Sequence, residues 1–590
     1  MDEELHKLLL DKTEELRAIT VAFSTEALVG LCYRKLSDWF VAQSEVSPLA
    51  SPSRQIYFML GLMLTTEEPA SPRDIEDDDW DQMVELLNWI FVSYARTYWP
   101  AEGRLADMDD TWKRVREVSM PVFLEYFNTS ILASVEEIVS RIKAYLSPFD
   151  EALKDLIDVS ATEVLYVTEF IHSHLQKSME DVQEAFRAEY ESRSELLKRA
   201  DDGQWDLEGL RDETRRAGHL DIYADIESKL NALMKIQLST LESQFGARIA
   251  KAYWNLFTSR RGEEADFTYL TERNAAERRP LFEVRDGTAF CPSVNALYIA
   301  NLVVLEDHIA SSDSRVRYFS RRDKVLEDEI LAAMQGLFGQ AAEYFAETYE
   351  TKDLQHEHDL FVLWSRALFV IESKASPPAE PFRDPERAYV RIERDFKSDT
   401  GIQRAYDQAI RVYRALANGD TLHLHDSKRE VVASISPQDV DDVFCICATR
   451  DNYGPLAVDL SLLLEKQEAD PYPWATNILD LKYMLKAWKY FGWGGAEFRE
   501  FIEDRIRLHG KILTFDELEV AGFYVRHGSL RRLVNADVDR IWLAIDYSDV
   551  FDDVYYATIG GPPVNLVQTE PVMENISERL RELLDSGPQA

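Results

Sequence analysis

Two apolar runs, residues 360–364 and 368–371, are parted only by the polar step Ser365-Arg366 and are flanked by Glu357, His358 and Asp359 on one side and Glu372, Ser373 and Lys374 on the other. Short apolar runs around a brief polar interruption read as an antiparallel hairpin. With the turn centred between Ser365 and Arg366, Trp364 pairs with Ala367. Counting outward then sets Asp359 opposite Glu372 and Glu357 opposite Lys374. Residues two apart on a strand share a face, so the count expects all four charged groups on one side of a sheet. A loop of three or five residues would flip one strand and break that arrangement.

Directly opposed carboxylates repel. A divalent cation between them relieves the repulsion, because Mg2+ takes oxygen ligands and keeps several waters. Lys374, next along the same face, suits orienting or deprotonating a metal-bound water and offsetting charge that grows on phosphorus. The plainer alternative is that charged residues merely end two apolar strands. Three neighbouring features weigh against it. Upstream, Ile330, Met334 and Leu337 form a helical stripe that includes Glu327, an unusual place for a carboxylate. Residues 342–350 then read as a strand, with a continuing helix as competitor, and in the helical case Glu343 points to solvent. Downstream, an amphipathic helix begins at Ile402, with Gln403 in its first turn. Helix, strand, hairpin and helix make one compact α/β layer.

The order Glu327, Asp359, Glu372-Ser373-Lys374 and Gln403 resembles the PD-(D/E)xK phosphodiesterase superfamily, also called restriction-endonuclease-like. Glu357-His358-Asp359-Leu360 resembles that family's Glu-Ile-Asp-Leu strand start, and Val370-Ile371-Glu372-Ser373-Lys374 its Val-Glu-x-Lys strand. The resemblance covers about residues 280–450 and implies a mixed central sheet flanked by helices, with Mg2+- or Mn2+-dependent cleavage of nucleic acid, DNA ahead of RNA. It further implies that Glu327, Asp359 and Glu372 hold metal, that Lys374 serves the water and that Gln403 supports the site, with Glu357 and Glu343 as secondary candidates. Asp407 stands where the family's recombination branch has Tyr. Long helical appendages in this family suggest, by analogy, antiviral defence or genome maintenance in a prokaryote.

The remaining sequence sets the frame. A length of 590 residues implies several domains. The expected fold class is an α/β nuclease core at 263–450 between an all-α region at 1–255, acting as sensor or scaffold, and a mixed helix/strand region at 451–585. Asp286-Gly287 between apolar runs signals a further hairpin. The net charge of −40 opposes nonspecific nucleic-acid binding. Basic residues cluster locally, from Arg315 to Lys324 upstream and from Arg383 to Lys397 downstream; Arg321, Arg322, Arg387 and Arg391 are the substrate-contact candidates, against a plain reading as solvated faces. Four cysteines make no disulfide framework, and no apolar run reaches membrane-spanning length. The expectation is a cytoplasmic protein with nucleic acid as partner, no membrane partner, and a protein partner or self-assembly through the helical first half. The competing function is a non-catalytic helical scaffold carrying a degenerate nuclease-like module.

Overall fold

The computed structural model describes residues 3–41, 47–100, 107–128, 134–201 and 232–566, apart from 265 and 376–383, with a few positions between 212 and 230. Arg383 and residues 567–590 thus lie outside the described residues. The chain is mixed α/β with a helical N-terminal region. It divides into two compact units, against the three segments expected: residues 4–92 and 130–318 form one, and residues 1–3, 93–129 and 319–590 the other.

The first unit is mainly helical and includes a 41-residue helix, Ala161–Asp201. It also holds a four-stranded sheet in which Leu281–Arg285 and Thr288–Phe290 pair antiparallel around Asp286-Gly287, the hairpin expected from sequence. Gly287 there has φ +67°, a left-handed conformation that glycine adopts without strain. Among the described residues no single helix is long and apolar enough to cross a membrane.

The second unit is built on a seven-stranded mixed sheet. Its strands are β1 (Glu343–Tyr349), β2 (Glu357–Trp364), β3 (Ala367–Lys374), β4 (Leu422–His425), β5 (Val431–Ile435), β6 (Asp442–Thr449) and β7 (Trp474–Asn477), in the spatial order β7-β6-β3-β2-β1-β4-β5. β1, β2 and β3 form an antiparallel meander. β6 runs parallel to β3 with Ala367 against Asp442 and Lys374 against Thr449, and β7 runs parallel to β6. One residue pair, Tyr349 with His425, joins β4 to β1. The region at 342–350 is therefore a strand, not a helix.

The hairpin turn closes as expected, with Trp364 against Ala367. Ser365 and Arg366 have φ of +46° and +63°, so both central residues are left-handed, as in a type I′ turn whose twist matches the strands. Arg366 supports the turn by a bidentate pair to Asp441, at 2.8 and 2.6 Å, just ahead of β6.

Alternation along β2 and β3 divides the core in two. Leu360, Val362, Phe369 and Ile371 pack on one face against Ile330, Met334 and Phe338 of α1 (Arg315–Phe338). Phe361, Leu368 and Val370 pack on the other against α2 (Pro385–Phe396) and α3 (Ile402–Ala417). The second core also takes Val118 and Val122 from the helix Asp110–Asn128. That helix sits within the stretch expected to be a separate all-α domain, and burial of its apolar face moves it to the sheet unit. The first core continues into α4 (Ile478–Phe491), α5 (Gly495–Arg505) and α6 (Glu517–His527), so residues beyond 451 share one core with the sheet. Trp488 is fully buried there, against Trp493, Phe501 and Tyr524, a packing role and not a stacking platform.

Phe369 has its ring 5.2 Å from Phe338, 5.3 Å from Phe444 and 5.9 Å from Phe498, with no exposed surface. Phe369→Ala is expected to cost about 3–5 kcal/mol of unfolding free energy, the range for deleting a buried aromatic. Urea denaturation followed by far-UV circular dichroism measures it.

Candidate functional site

The site residues collect where β2 begins and β3 ends. The regular β2–β3 ladder runs from Trp364–Ala367 to Leu360–Ile371 and goes no further. Beyond it the strands depart from simple alternation. Glu347 on β1 has φ +51°, and the β1–β2 pairing omits Glu347 and Asp359 while resuming at Thr348–His358. As a result Asp359 and Leu360 both line a recess on the α1 side, with Glu327, Glu347, Ile371 and Ser373. His358 instead joins the α3 side, its ring 5.0 Å from that of Phe361.

This irregularity corrects the expectation of four charged groups on one face. Glu372 and Lys374 extend toward α3, where Glu372 bonds His358 and Lys374 donates to Gln408 Oε1 at 3.1 Å. Asp359 leaves β2 on the α1 side. Its carboxylate nevertheless seats on the β3 end: Oδ2 accepts from Ser373 N at 2.6 Å and from Ser373 Oγ at 2.7 Å. Ser373 lies between Glu372 and Lys374, so the hairpin does bring the Asp359 carboxylate onto the Glu-x-Lys segment.

Glu327 is half-buried on α1 at the recess, its partner there being Lys324 at 3.4 Å. Burial, and then the charge of Asp359, raise its pKa to about 7, against the opposing pull of Lys324. Lys324 also pairs with Asp328 and Glu347. The recess itself is about 20 Å3, room for one water-sized occupant.

Glu372 has no exposed surface. Burial raises its pKa, and the Asp359 charge adds to this, while His358 and Lys374 oppose it. Its Oε1 meets His358 Nδ1, whereas its Oε2 is buried without a hydrogen-bond partner. His358 Nε2 meets Glu350 Oε1 at 2.7 Å, and Arg411 of α3 lies 3.3 Å from the same oxygen. With a carboxylate at each ring nitrogen, a protonated ring can donate from both. Burial alone would lower the His358 pKa, but the two carboxylates outweigh it and raise it to about 9.

Several expected residues stand elsewhere. Gln403 is nearly buried and staples the segment at Glu465: it accepts from Glu465 N at 2.8 Å and donates to Glu465 O at 2.9 Å. Gln408, five residues on and turned to another face of α3, takes the place beside Lys374 and also donates to the Glu357 carbonyl at 3.3 Å. Glu343 pairs with Leu363 at the turn end of the sheet, the opposite end from Asp359, and Glu347 is the β1 acid at the recess. Glu357 is exposed at the rim and accepts from Tyr349 Oη at 3.1 Å. Arg322 is largely buried, with its guanidinium 4.7 Å from the Phe319 ring centre. Arg321 is exposed on α1, and Arg387 and Arg391 are exposed on α2. None of the three lines the recess.

The sequence reading passed over His358, Glu350 and Gln408. The signal for His358 was present: a histidine between two acids at the start of an apolar strand, at a position where the resembled family carries isoleucine.

Among the described residues no three His, Cys, Asp or Glu side chains gather closely enough to form a complete protein-only metal cage. Mg2+ commonly uses one or two carboxylates and fills the rest of its sphere with water and phosphate oxygens. Asp359 and Glu327 stand together at the α1-side recess and fit that requirement, whereas Glu372, with its orphaned Oε2, lies toward α3 outside that recess.

His358 gives a pH test of this geometry. A histidine whose folded pKa is raised stabilises the protein fully below its unfolded value, near 6.5, and loses that contribution as pH rises through about 9. The melting-temperature gap between wild type and His358→Gln is therefore expected to be widest near pH 6 and to narrow toward pH 10. A gap constant across that range contradicts the ion-paired arrangement.

Comparison with protein-family models, curated proteins and solved structures gives no match for this chain.

Proposed function

We propose that this protein is a divalent-metal-dependent phosphodiesterase acting on nucleic acid, of the PD-(D/E)xK type, with DNA as substrate. The observation that carries the reading is the Asp359 carboxylate seated on the backbone between Glu372 and Lys374, together with a Glu372 oxygen that is buried without a partner. The order of elements supports it: helix α1, the antiparallel meander β1-β2-β3, helix α3, then β6 parallel to β3. A mixed sheet flanked by helices is the coarse arrangement that the family resemblance implies.

Asp359 would hold Mg2+ or Mn2+, with Glu327 on the α1 side or Glu372 Oε2 on the α3 side as the second carboxylate. When bound, the cation supplies Lewis-acid polarisation of a phosphoryl oxygen and a more acidic attacking water. The protein's own groups have separable tasks. Ser373 fixes the Asp359 carboxylate by two hydrogen bonds. His358 fixes one Glu372 oxygen and leaves the other open. Gln408 holds Lys374 Nζ, whose charge and N–H groups suit stabilising a phosphate that gains negative charge. With a net charge of −40 the protein as a whole repels polyanions. Binding must then come from the site and from nearby cations, of which Arg387 and Arg391 are exposed candidates. A cytoplasmic location and a role in defence or genome maintenance go with this reading by analogy alone.

Purified protein with Mg2+ or Mn2+ is expected to cleave DNA, and EDTA to stop it. Lys374→Ala and Asp359→Asn are each expected to lower the rate by about 10²–10⁴-fold, the usual worth of a lost acid–base or electrostatic group, with the melting temperature kept. Gel assays on linear, circular and single-stranded DNA, and on RNA, read the outcome. Cleavage that survives Lys374→Ala points to a contaminant, and inactivity on every substrate leaves the non-catalytic scaffold.

The two glutamines separate in the same assay. Gln408→Ala is expected to slow cleavage by about tenfold or more, for loss of a hydrogen bond to a charged group. Gln403→Ala should lower the melting temperature and leave the rate per folded molecule unchanged.

A further inference from the structure

The helical unit has a cavity of its own, formed on its small sheet. Gln237, Thr288 and Arg285 stand side by side on three adjacent strands, and Lys235 lies two residues before Gln237. All four line a cavity of about 660 Å3 together with Glu26 and His174. That volume falls within the ~300–1,000 Å3 typical of small-molecule sites. Sheet faces inside a domain are ordinarily apolar, and this one presents an amide, a hydroxyl, a guanidinium and an ammonium to open space.

The charges there are unbalanced. Lys235 Nζ lies 2.5 Å from Glu26 Oε1, and Arg285 Nη2 lies 3.3 Å from Glu26 Oε2. Two cations thus share one carboxylate, leaving one positive charge in excess within a chain of net charge −40. Glu26 sits in the first turn of the helix Thr25–Val41, where the helix dipole also favours a negative group. A dianion placed between Lys235 and Arg285 would satisfy both and release Glu26 to solvent. Arg285 is mostly exposed and supplies the mouth of the site, and Lys235 is mostly buried and supplies its base. Gln237 and Thr288 offer hydrogen bonds to neutral polar groups of the ligand.

We infer that this cavity binds a phosphorylated small molecule, with its phosphate held between Lys235 and Arg285 in place of the Glu26 carboxylate. The site is independent of the phosphodiesterase reading and shares no residue with it. Glu26 is the competitor of the ligand, which gives the inference a distinctive signature.

The test uses the full chain without added metal and inorganic phosphate as the probe, titrated against sodium chloride of matched ionic strength. Thermal unfolding reads binding as a saturating rise in melting temperature. Half-saturation is expected to need at least tenfold more phosphate in Lys235→Gln and in Arg285→Gln. It should need several-fold less in Glu26→Gln, a gain that misfolding cannot imitate. Phosphate acting no more strongly than chloride on wild type and Glu26→Gln overturns the inference. The same half-saturation in all four proteins also overturns it, since phosphate is then binding elsewhere. Weaker binding in Glu26→Gln makes Glu26 part of the site and not a competitor, and overturns it too.

Discussion

A carboxylate stripped of water needs its counter-charge inside the protein, because an unpaired buried charge costs several kcal/mol. Glu372, at the end of the central strand β3, is the group on which that constraint falls. Its answer is a chain of partners: His358 from β2, Glu350 from the end of β1 and Arg411 from α3. One desolvated oxygen thereby ties three strands and a helix together at a single point. The other oxygen is left over, and it is the reason for reading the strand end as a place for a cation and not as a closed ion pair.

The same arrangement accounts for the division of labour across the sheet. The α3 side holds the rigid part, a fully buried His–Glu pair and a lysine positioned by Gln408. The α1 side holds the more open part, where Glu327 and Glu347 share Lys324 around a small recess. Asp359 connects the two by reaching the Ser373 backbone. Burial and mutual repulsion leave Glu327 near the edge of ionisation at neutral pH, so a cation arriving at the recess would compete there with protons.

Much of this was legible in the chain, for identifiable reasons. Apolar runs of that length around Ser365-Arg366 read as a hairpin, and once the turn has two residues the register from Trp364–Ala367 to Leu360–Ile371 follows from counting. Glu327 announced itself by interrupting an apolar stripe. What counting missed was the break at Asp359, because a strand's alternation is a local rule and the left-handed Glu347 that ends it lies on a different strand. Gln403 and Gln408 belong to one helix, and helical periodicity alone does not say which face meets Lys374. The helix Asp110–Asn128 looks like its neighbours in sequence, and only the apolar residues it finds on the sheet unit, far along the chain, assign it there.

The single pair between Tyr349 and His425 has a consequence for how the sheet can vary. Five strands, from β7 to β1, are held by ladders of several residue pairs each and carry Asp359, Glu372 and Lys374. The β4–β5 ribbon pairs with them at one bridge, exposes Val431 and Val432, and buries Leu422, Leu424 and Ile435 in the core on the α3 side. The turn between its strands is where the sheet can vary in length: an extension there leaves that core, and the ladders around Asp359, Glu372 and Lys374, unchanged.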